Sequence, residues 1–272
     1  MKWPDNRRIA VMLAFDLDAE TLWEAYQDRD HPSNMSRGAY GPVQGMPRIL
    51  TMLDKYLIRT TFFVPARTAL RYPDLIRDIA SRGHEIGYHG YEHASSPDRD
   101  QERENMLRAE QLMQKLTGQR LRVHRAPSGS VYDYTLPLLL ERGYIASSNW
   151  RNTDGPFIHR LDGREIPLVE LPKDSIFDDT AYDMYIERPI RPWHNLRSGR
   201  DFVQVWLDEF DALAAEGRMI NFVLHPQFIG RVSRLNALDQ AVAYMLDNGA
   251  WFDTNGNVAR YILREHGHDI DG

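Results

Sequence analysis

Cysteine is absent from the 272 residues. Disulfides, thiolate metal ligands and cysteine nucleophiles are therefore excluded together, and any metal has to be held by His, Asp or Glu. Long apolar runs are missing as well: no stretch approaches the roughly 18–20 residues of a membrane span. There is no basic excess. Lys and Arg total 33 against 39 Asp and Glu, a formal net charge of -6, which leaves no positive field for nucleic acid or an anionic membrane. Low-complexity tracts, Gly/Ser linkers and internal repeats are not found, so nothing divides the chain. Residues 1–272 are expected to form a single domain, a length that α/β barrels reach. The opening MKWPDNRRIAVMLAFD carries no apolar segment followed by a small-residue cleavage site. A cytoplasmic protein is the expectation, although a chain trimmed of its signal would read the same.

What is present is an ordinary globular composition, 42% apolar and 26% charged, with an alternating pattern. RIAVMLAF (8–15) is a continuous apolar run ending in acids, as a buried strand would be. Met46, Ile49, Leu50, Leu53 and Leu57 fall at helical spacing. RTTFFVPA (59–66) is β-branched and aromatic and stops at proline, a second strand. A helix closed by Gly83 leads to a third strand, HEIGYH (84–89). A long helix over 99–117 precedes a fourth strand at RVHRAP. IASS and LVELP (168–172) read as the fifth and sixth strands, and MINFVLHP (219–226) as the seventh, between helices at DFVQVWLDEFDALAAEG and 233–248. Strand and helix alternate throughout, which predicts parallel strands with helical crossovers closed into a barrel. Two stretches, 20–44 and 150–200, read as irregular. They hold Trp23, Tyr26, Tyr40, Trp150, Tyr182, Tyr185 and Trp193, suited to a substrate cleft wall.

The polar residues fall at the ends of these strands. Asp16 and Asp18 follow the first, His89 and His93 the third, and Asp178 and Asp179 the sixth. Arg125 lies in the fourth, and His225 ends the seventh. In a parallel barrel all strand C-termini share one face, where polar residues read as catalytic. HGYEH (89–93) sets two imidazoles four positions apart, and a helix or a tight turn at Gly90 would each bring both rings to one ion. With Asp18 as third ligand, two His and one carboxylate make a divalent-metal set with a position left for water. Zinc is the default for hydrolysis at such a site; it lowers the pKa of water from roughly 15.7 to about 7. Asp16 would take the proton of that water, His225 would protonate a leaving nitrogen, and Arg125 would hold Asp16 charged and oriented. Each feature alone has a bland counterpart. A single His-x-x-x-His recurs by chance, DLDAE could close a solvated strand, His225 before proline could be structural, and Asp178-Asp179 could cap a turn. Their joint placement favours a site.

With these residues in hand, the chain resembles the polysaccharide deacetylase family of carbohydrate esterases, with its distorted (β/α)7 barrel. The family's motifs match in order: FDLD for the paired aspartates, HGYEH for His-x-x-x-His, RAP for Arg-x-Pro and LHP for the late Leu-His. The resemblance spans about residues 7–262. It implies Asp16 as base, Asp18, His89 and His93 as ligands of one divalent metal, and His225 as acid. SRGAYG (36–41), ELPKDSIFDD (170–179), WLDEFD (206–211) and LHPQFIGRVSRL (224–235) resemble the intracellular branch, which includes a peptidoglycan-deacetylase homologue, cyclic imidases and a metal-independent allantoinase. That implies a hydrolase of carbon–nitrogen bonds other than peptide bonds, acting on a small-molecule amide or an N-acetyl sugar, and a homo-oligomer with a tetramer favoured.

There are departures from the pattern. SGSV (128–131) is small and polar where relatives often carry aromatics, and Ala146 stands where many have Asp; both touch the substrate pocket. FDLD spaces its aspartates by one residue, so the division of roles between Asp16 and Asp18 stays open. Three alternatives are kept. The first is ring opening of a cyclic imide or ureide, with or without metal. The second is an iron(II) oxygenase, which shares the two-His-one-carboxylate set but sits on all-β scaffolds. The third is a non-catalytic binding barrel, which would not need both a base and an acid.

Overall fold

The computed structural model describes residues 1–25, 31–183 and 197–268. Tyr26, Tyr185 and Trp193 lie outside the described residues. The strands are β1 (Ile9–Met12), β2 (Phe15–Asp16), β3 (Thr61–Val64), β4 (Glu85–Tyr88), β5 (Val123–His124), β6 (Ala146–Ser147), β7 (Phe157–Leu161), β8 (Arg164–Glu170), β9 (Met219–Asn221) and β10 (Ala250–Phe252). Helices α1 (Thr21–Ala25), α2 (Pro32–Tyr40), α3 (Met46–Lys55), α4 (Ala66–Arg71), α5 (Pro73–Ser81) and α6 (Arg99–Thr117) are followed by α7 (Thr135–Arg142), α8 (Thr180–Asp183), α9 (Gly199–Ala215), α10 (Pro226–Ile229), α11 (Val232–Asp247) and α12 (Asn255–Glu265). No helix among the described residues is long and apolar enough to cross a membrane.

The pairing is parallel around the barrel: β2, β3, β4, β5, β6 and β8 in that order. On the other side of the first strand, β1 pairs with β9 and Phe15 bridges to Leu224. The circle narrows to a single bridge, Asp178 to Val223, where β8 and β9 would otherwise meet. This is the distorted (β/α)7 barrel, built from the seven strands legible in the sequence. Two further strands were not expected. β7 is antiparallel to β8, and β10 pairs with the start of β1.

Side-chain alternation along the strands divides the core in two. Ile9, Val11, Leu13 and Phe15 join the larger cluster with residues of the surrounding helices, such as Ile49, Leu53, Ile76, Met106, Leu138 and Trp206. Ala10, Met12 and Ala14 join a second cluster with Phe63, Val123, Ala146, Val169, Leu171 and Met219, and Val258 and Ile262 of α12 close it. The second cluster is the barrel interior. A strand buried on both faces has no polar face, which is why the runs are continuously apolar. Gly87 fits the same interior, since a Cβ there would lie 2.5 Å from the ring of Phe63 and 2.9 Å from Val123.

The described residues of the stretch 20–44 are largely helical rather than irregular. α2 runs through a π-helical turn, Gly41–Gly45, directly into α3. Its glycines are there for close approach. A Cβ on Gly38 would sit 2.5 Å from the Glu20 Cα, and one on Gly45 would sit 2.3 Å from the Pro226 carbonyl oxygen. The stretch 150–200 contains the β7–β8 hairpin, turned at Asp162-Gly163 with positive φ at both residues.

Candidate active site at the barrel mouth

The interior parity of each strand continues into its polar residue. After Ala10, Met12 and Ala14 come Asp16 and Asp18; after Gly87, His89; after Val123, Arg125; after Ala146, Ser148; after Met219, Asn221 and His225. Strand side chains alternate with a period of two, so all of these face inward at the C-terminal mouth. The i, i+2 spacing in FDLD is what puts both carboxylates on that face.

Asp18 is the centre. It is fully buried. His89 Nε2 lies 3.3 Å from its Oδ1, and the Nε2 atoms of His93 and His225 each lie 3.5 Å from its Oδ2. Asp18, His89 and His93 each offer a ligand atom within 4.8 Å of the others. The ring Nδ1 of His89 is tied to the Arg125 carbonyl oxygen at 2.7 Å, which leaves Nε2 with its lone pair for the centre. HGYEH is not helical. The turn is made at Gly90, with φ of +81°, where a Cβ would lie 2.4 Å from the Glu92 carbonyl oxygen. The backbone at Ala19 is also left-handed, with φ of 52°, and the Asp18 carbonyl accepts from Thr21 Oγ1 at 2.6 Å and Thr68 Oγ1 at 2.8 Å. These contacts hold a strained turn directly after the central carboxylate.

The residues fit a divalent cation. Both carboxylate oxygens of Asp18 are buried and accept no hydrogen bond from any described residue. An unsatisfied buried carboxylate is expensive, and a cation between it and two imidazoles is what the donor set lacks.

Arg125 is fully buried and stacks its guanidinium over the Phe63 ring, 4.3 Å from the centroid. Nη1 donates to Asp16 Oδ1 at 2.6 Å, Nε to Ser148 Oγ at 3.1 Å, and Nη2 to Asn221 Oδ1 at 3.0 Å and the Phe222 carbonyl at 3.1 Å. Burial alone would raise the pKa of Asp16; the guanidinium, with His89 and His225, lowers it instead. Burial is likewise outweighed at Asp18, where His93 and His89 hold the carboxyl low.

His225 is held by Asp179. The ring Nδ1 is 2.6 Å from Asp179 Oδ1, and Asp179 Oδ2 accepts the backbone N–H groups of His225 at 2.8 Å and Ile229 at 3.2 Å. Burial opposes a charged ring, but the Asp179 carboxylate outweighs it and raises the ring's pKa to about 10. Asp178 does cap a turn, its Oδ1 accepting the N–H of Thr180 at 2.9 Å. All six residues singled out from sequence (Asp16, Asp18, His89, His93, Arg125 and His225) are thus brought together. Asp179 stands among the strand-end polar residues of the sequence reading but without a role there, and Ser148 and Asn221 are additions. The alternation of their own strands would have found Ser148 and Asn221.

A cavity of about 720 Å³ opens on the outer side of the HGYEH loop, lined by Arg67, Arg71, Tyr91 and Arg108 among others. It includes none of the inward-facing polar residues. Two of its arginines are already paired, Arg67 with Glu92 and Arg71 with Glu24.

Fold and site together define a barrel hydrolase with a carboxylate–histidine centre. The sequence profile described as "Polysaccharide deacetylase" matches residues 39–146. A crystal structure from Mycobacterium smegmatis, which carries a provisional polysaccharide deacetylase name, superposes with a TM-score of 0.89 at 31% identity, covering 99% of this chain and 94% of the other. The Helicobacter pylori peptidoglycan deacetylase is 27% identical over 252 residues, 83% of this chain and 86% of the relative. The PuuE allantoinase structure gives a TM-score of 0.83 at 26% identity, covering 98% and 94% of the two chains. The chain belongs to the polysaccharide deacetylase family, metal-dependent hydrolases of carbon–nitrogen bonds other than peptide bonds. That separates it from the oxygenase alternative.

Proposed function

We infer that residues 1–272 form one catalytic domain that hydrolyses the acetamido group of an N-acetyl amino sugar or a related small amide. The observation that carries this reading is the convergence on Asp18 of His89, His93 and His225, at 3.3–3.5 Å, beside the Arg125–Asp16 pair.

Asp18, His89 and His93 would hold one divalent ion, with zinc the default for such a set. When bound, the ion supplies Lewis acidity to the carbonyl and makes a nearby water more acidic. Asp16, kept ionised by Arg125, accepts the proton of the attacking water. The water adds to the amide carbonyl carbon. His225, protonated through Asp179, gives its Nε2 proton to the departing nitrogen, and the carbon–nitrogen bond breaks to a carboxylic acid and an amine. Arg125 orients Asp16, and Asp179 orients His225.

A second reading has one observation in its favour, the match to PuuE allantoinase over 98% of this chain. The same base and acid would open a cyclic imide or ureide by adding water to a ring carbonyl. A panel of chitooligosaccharide, succinimide and allantoin separates the two, scored by acetate release and by ring-opened product. Acetate release abolished by Asp16→Asn and His225→Gln supports the first reading; ring opening without acetate supports the second. A protein with near one divalent ion per chain and activity on none of the three, nor on carboxylate-bearing N-acetyl compounds, would count against both. Cytoplasmic location and a homo-oligomer, with a tetramer favoured, complete the proposal; subcellular fractionation and light scattering test them.

A further inference from the structure

One inward-facing polar residue has no part in the mechanism above. Lys173 continues the interior parity of Val169 and Leu171, and its backbone N–H donates to the Trp150 carbonyl at 3.1 Å, which keeps the segment extended. Its side chain therefore enters the same mouth as those of Arg125, Ser148 and Asn221. Lys173 is only 7% exposed, yet its ammonium makes no hydrogen bond or ion pair with any described residue. Burial of the side chain, with the Arg125 charge, pushes its pKa down to about 8.

A second cation comes from the neighbouring loop. Arg151 and Lys173 line one cavity of about 50 Å³, with Thr153, Asp154, Asp174 and Asn221 among its other walls. Arg151 is exposed, and its guanidinium lies beside the adjacent loop after β5, where a Cβ on Gly129 would be 3.3 Å from its Nη2. Arg151 too has no ion pair among the described residues. The nearby acids are engaged elsewhere or stay apart. Asp16 is bonded to Arg125, Asp178 Oδ1 accepts from Thr180, and Asp174 Oδ1 accepts the Ile176 N–H at 2.9 Å. Asp154 makes no ion pair with either cation.

We propose that Lys173 and Arg151 form an anion subsite that reads a carboxylate on the substrate, beside the amide that is cleaved. A guanidinium fork and an ammonium are the donors a carboxylate takes. The subsite makes this enzyme selective for acidic amides over neutral ones. Lys173 is a specificity-determining residue; the reaction itself needs only the centre. The proposal rests on the amide-hydrolase reading for the position of the carboxylate but not for its existence.

The test uses zinc-loaded full-length protein and a ladder of N-acetyl-ω-amino acids, from N-acetylglycine to N-acetyl-4-aminobutyrate, each beside its neutral primary amide. Calorimetric binding and acetate release are both measured. The expected result is that at least one acid is bound and hydrolysed tenfold or more better than its amide. Lys173→Met should erase the preference through KM with little change in kcat, Lys173→Arg should restore most of it, and Arg151→Gln should lose part. Circular dichroism confirms that each variant is folded. Wild-type protein that prefers none of the acids overturns the proposal. So does Lys173→Met lowering kcat equally for acids and amides, which would mean that the lysine only balances charge. Acids bound through Lys173 but never hydrolysed leave the subsite standing and sink the hydrolase reading. Acids and amides hydrolysed alike do the reverse.

Discussion

Asp179 holds His225 at two points, its Oδ1 on the ring Nδ1 at 2.6 Å and its Oδ2 on the backbone N–H at 2.8 Å. One carboxylate thus fixes the direction of the ring and raises its affinity for a proton. In Asp179→Asn the position survives but the charge does not. The His225 pKa then falls, because burial is no longer offset, and the imidazolium is lost at lower pH. The alkaline limb of the pH–kcat/KM profile moves down, and kcat drops by roughly 10²–10³, within the range of general acid catalysis. An unmoved limb would mean that His225 is not the acid.

Metal binding should depend on Asp18 as fully as on a ligating histidine, because its two oxygens face all three rings. Thermal melts with and without zinc give the comparison. Wild-type protein at a zinc concentration about 1,000 times its Kd gains roughly 4 kcal/mol. Asp18→Asn and His89→Ala should show little or no gain, with zinc per chain falling from near one toward zero by plasma mass spectrometry. A full gain in Asp18→Asn would place the ion elsewhere.

Most of this site was legible because strands obey a period of two. Ala10, Met12 and Ala14 point inward, so Asp16 and Asp18 must, and the spacing that departs from adjacent family aspartates still delivers both to one face. Lys173 and Asn221 obey the same rule, but a Lys or Asn in an apolar segment carries no metal-ligand or acid–base signal of its own. The position of Asp179 at a strand end was legible, but its role was not, for a different reason. Its partner lies 46 positions away, and an Asp-Asp pair is equally good at capping, which Asp178 does. The β7–β8 hairpin carried its own signal, the Asp162-Gly163 turn, inside a stretch whose aromatics drew attention to cleft walls. Gly38, Gly41 and Gly45 hid a continuous helix, since glycine demanded by close packing looks the same in sequence as glycine demanded by a turn.

Arg125 and Asp16 should show strong thermodynamic coupling. Arg125→Gln leaves a buried carboxylate with its main partner gone, at a cost of about 3–5 kcal/mol. Asp16→Asn in the same background removes that charge and should recover part of the loss. Urea unfolding of the two single variants and the double variant measures the coupling. Additive losses would show that the pair contributes no net interaction in the fold.

Acid sensitivity of the fold should be traceable to His124, which lies outside the reaction. It is buried on the helix-facing side of β5, stacked on Tyr88 with ring centroids 5.8 Å apart. Burial, then the nearby His89, depresses its pKa to about 3. The sign follows from linkage. The unfolded chain binds a proton near the ordinary histidine pKa of 6.5 and the folded chain does not, so the unfolded state gains protons first as pH falls. The stability from a neutral His124 is complete above about 6.5 and is lost progressively down to about 3, at roughly 1.4 kcal/mol per pH unit. His84, held down to about 4 mainly by its own burial, adds a second slope over the upper part of that window. In urea titrations at pH 7, 6 and 5, His124→Gln should be less stable than wild type at pH 7 because it disturbs the Tyr88 stack. Its stability should then fall with pH by about one proton less. A slope identical to that of wild type would show that His124 is already protonated in the folded protein.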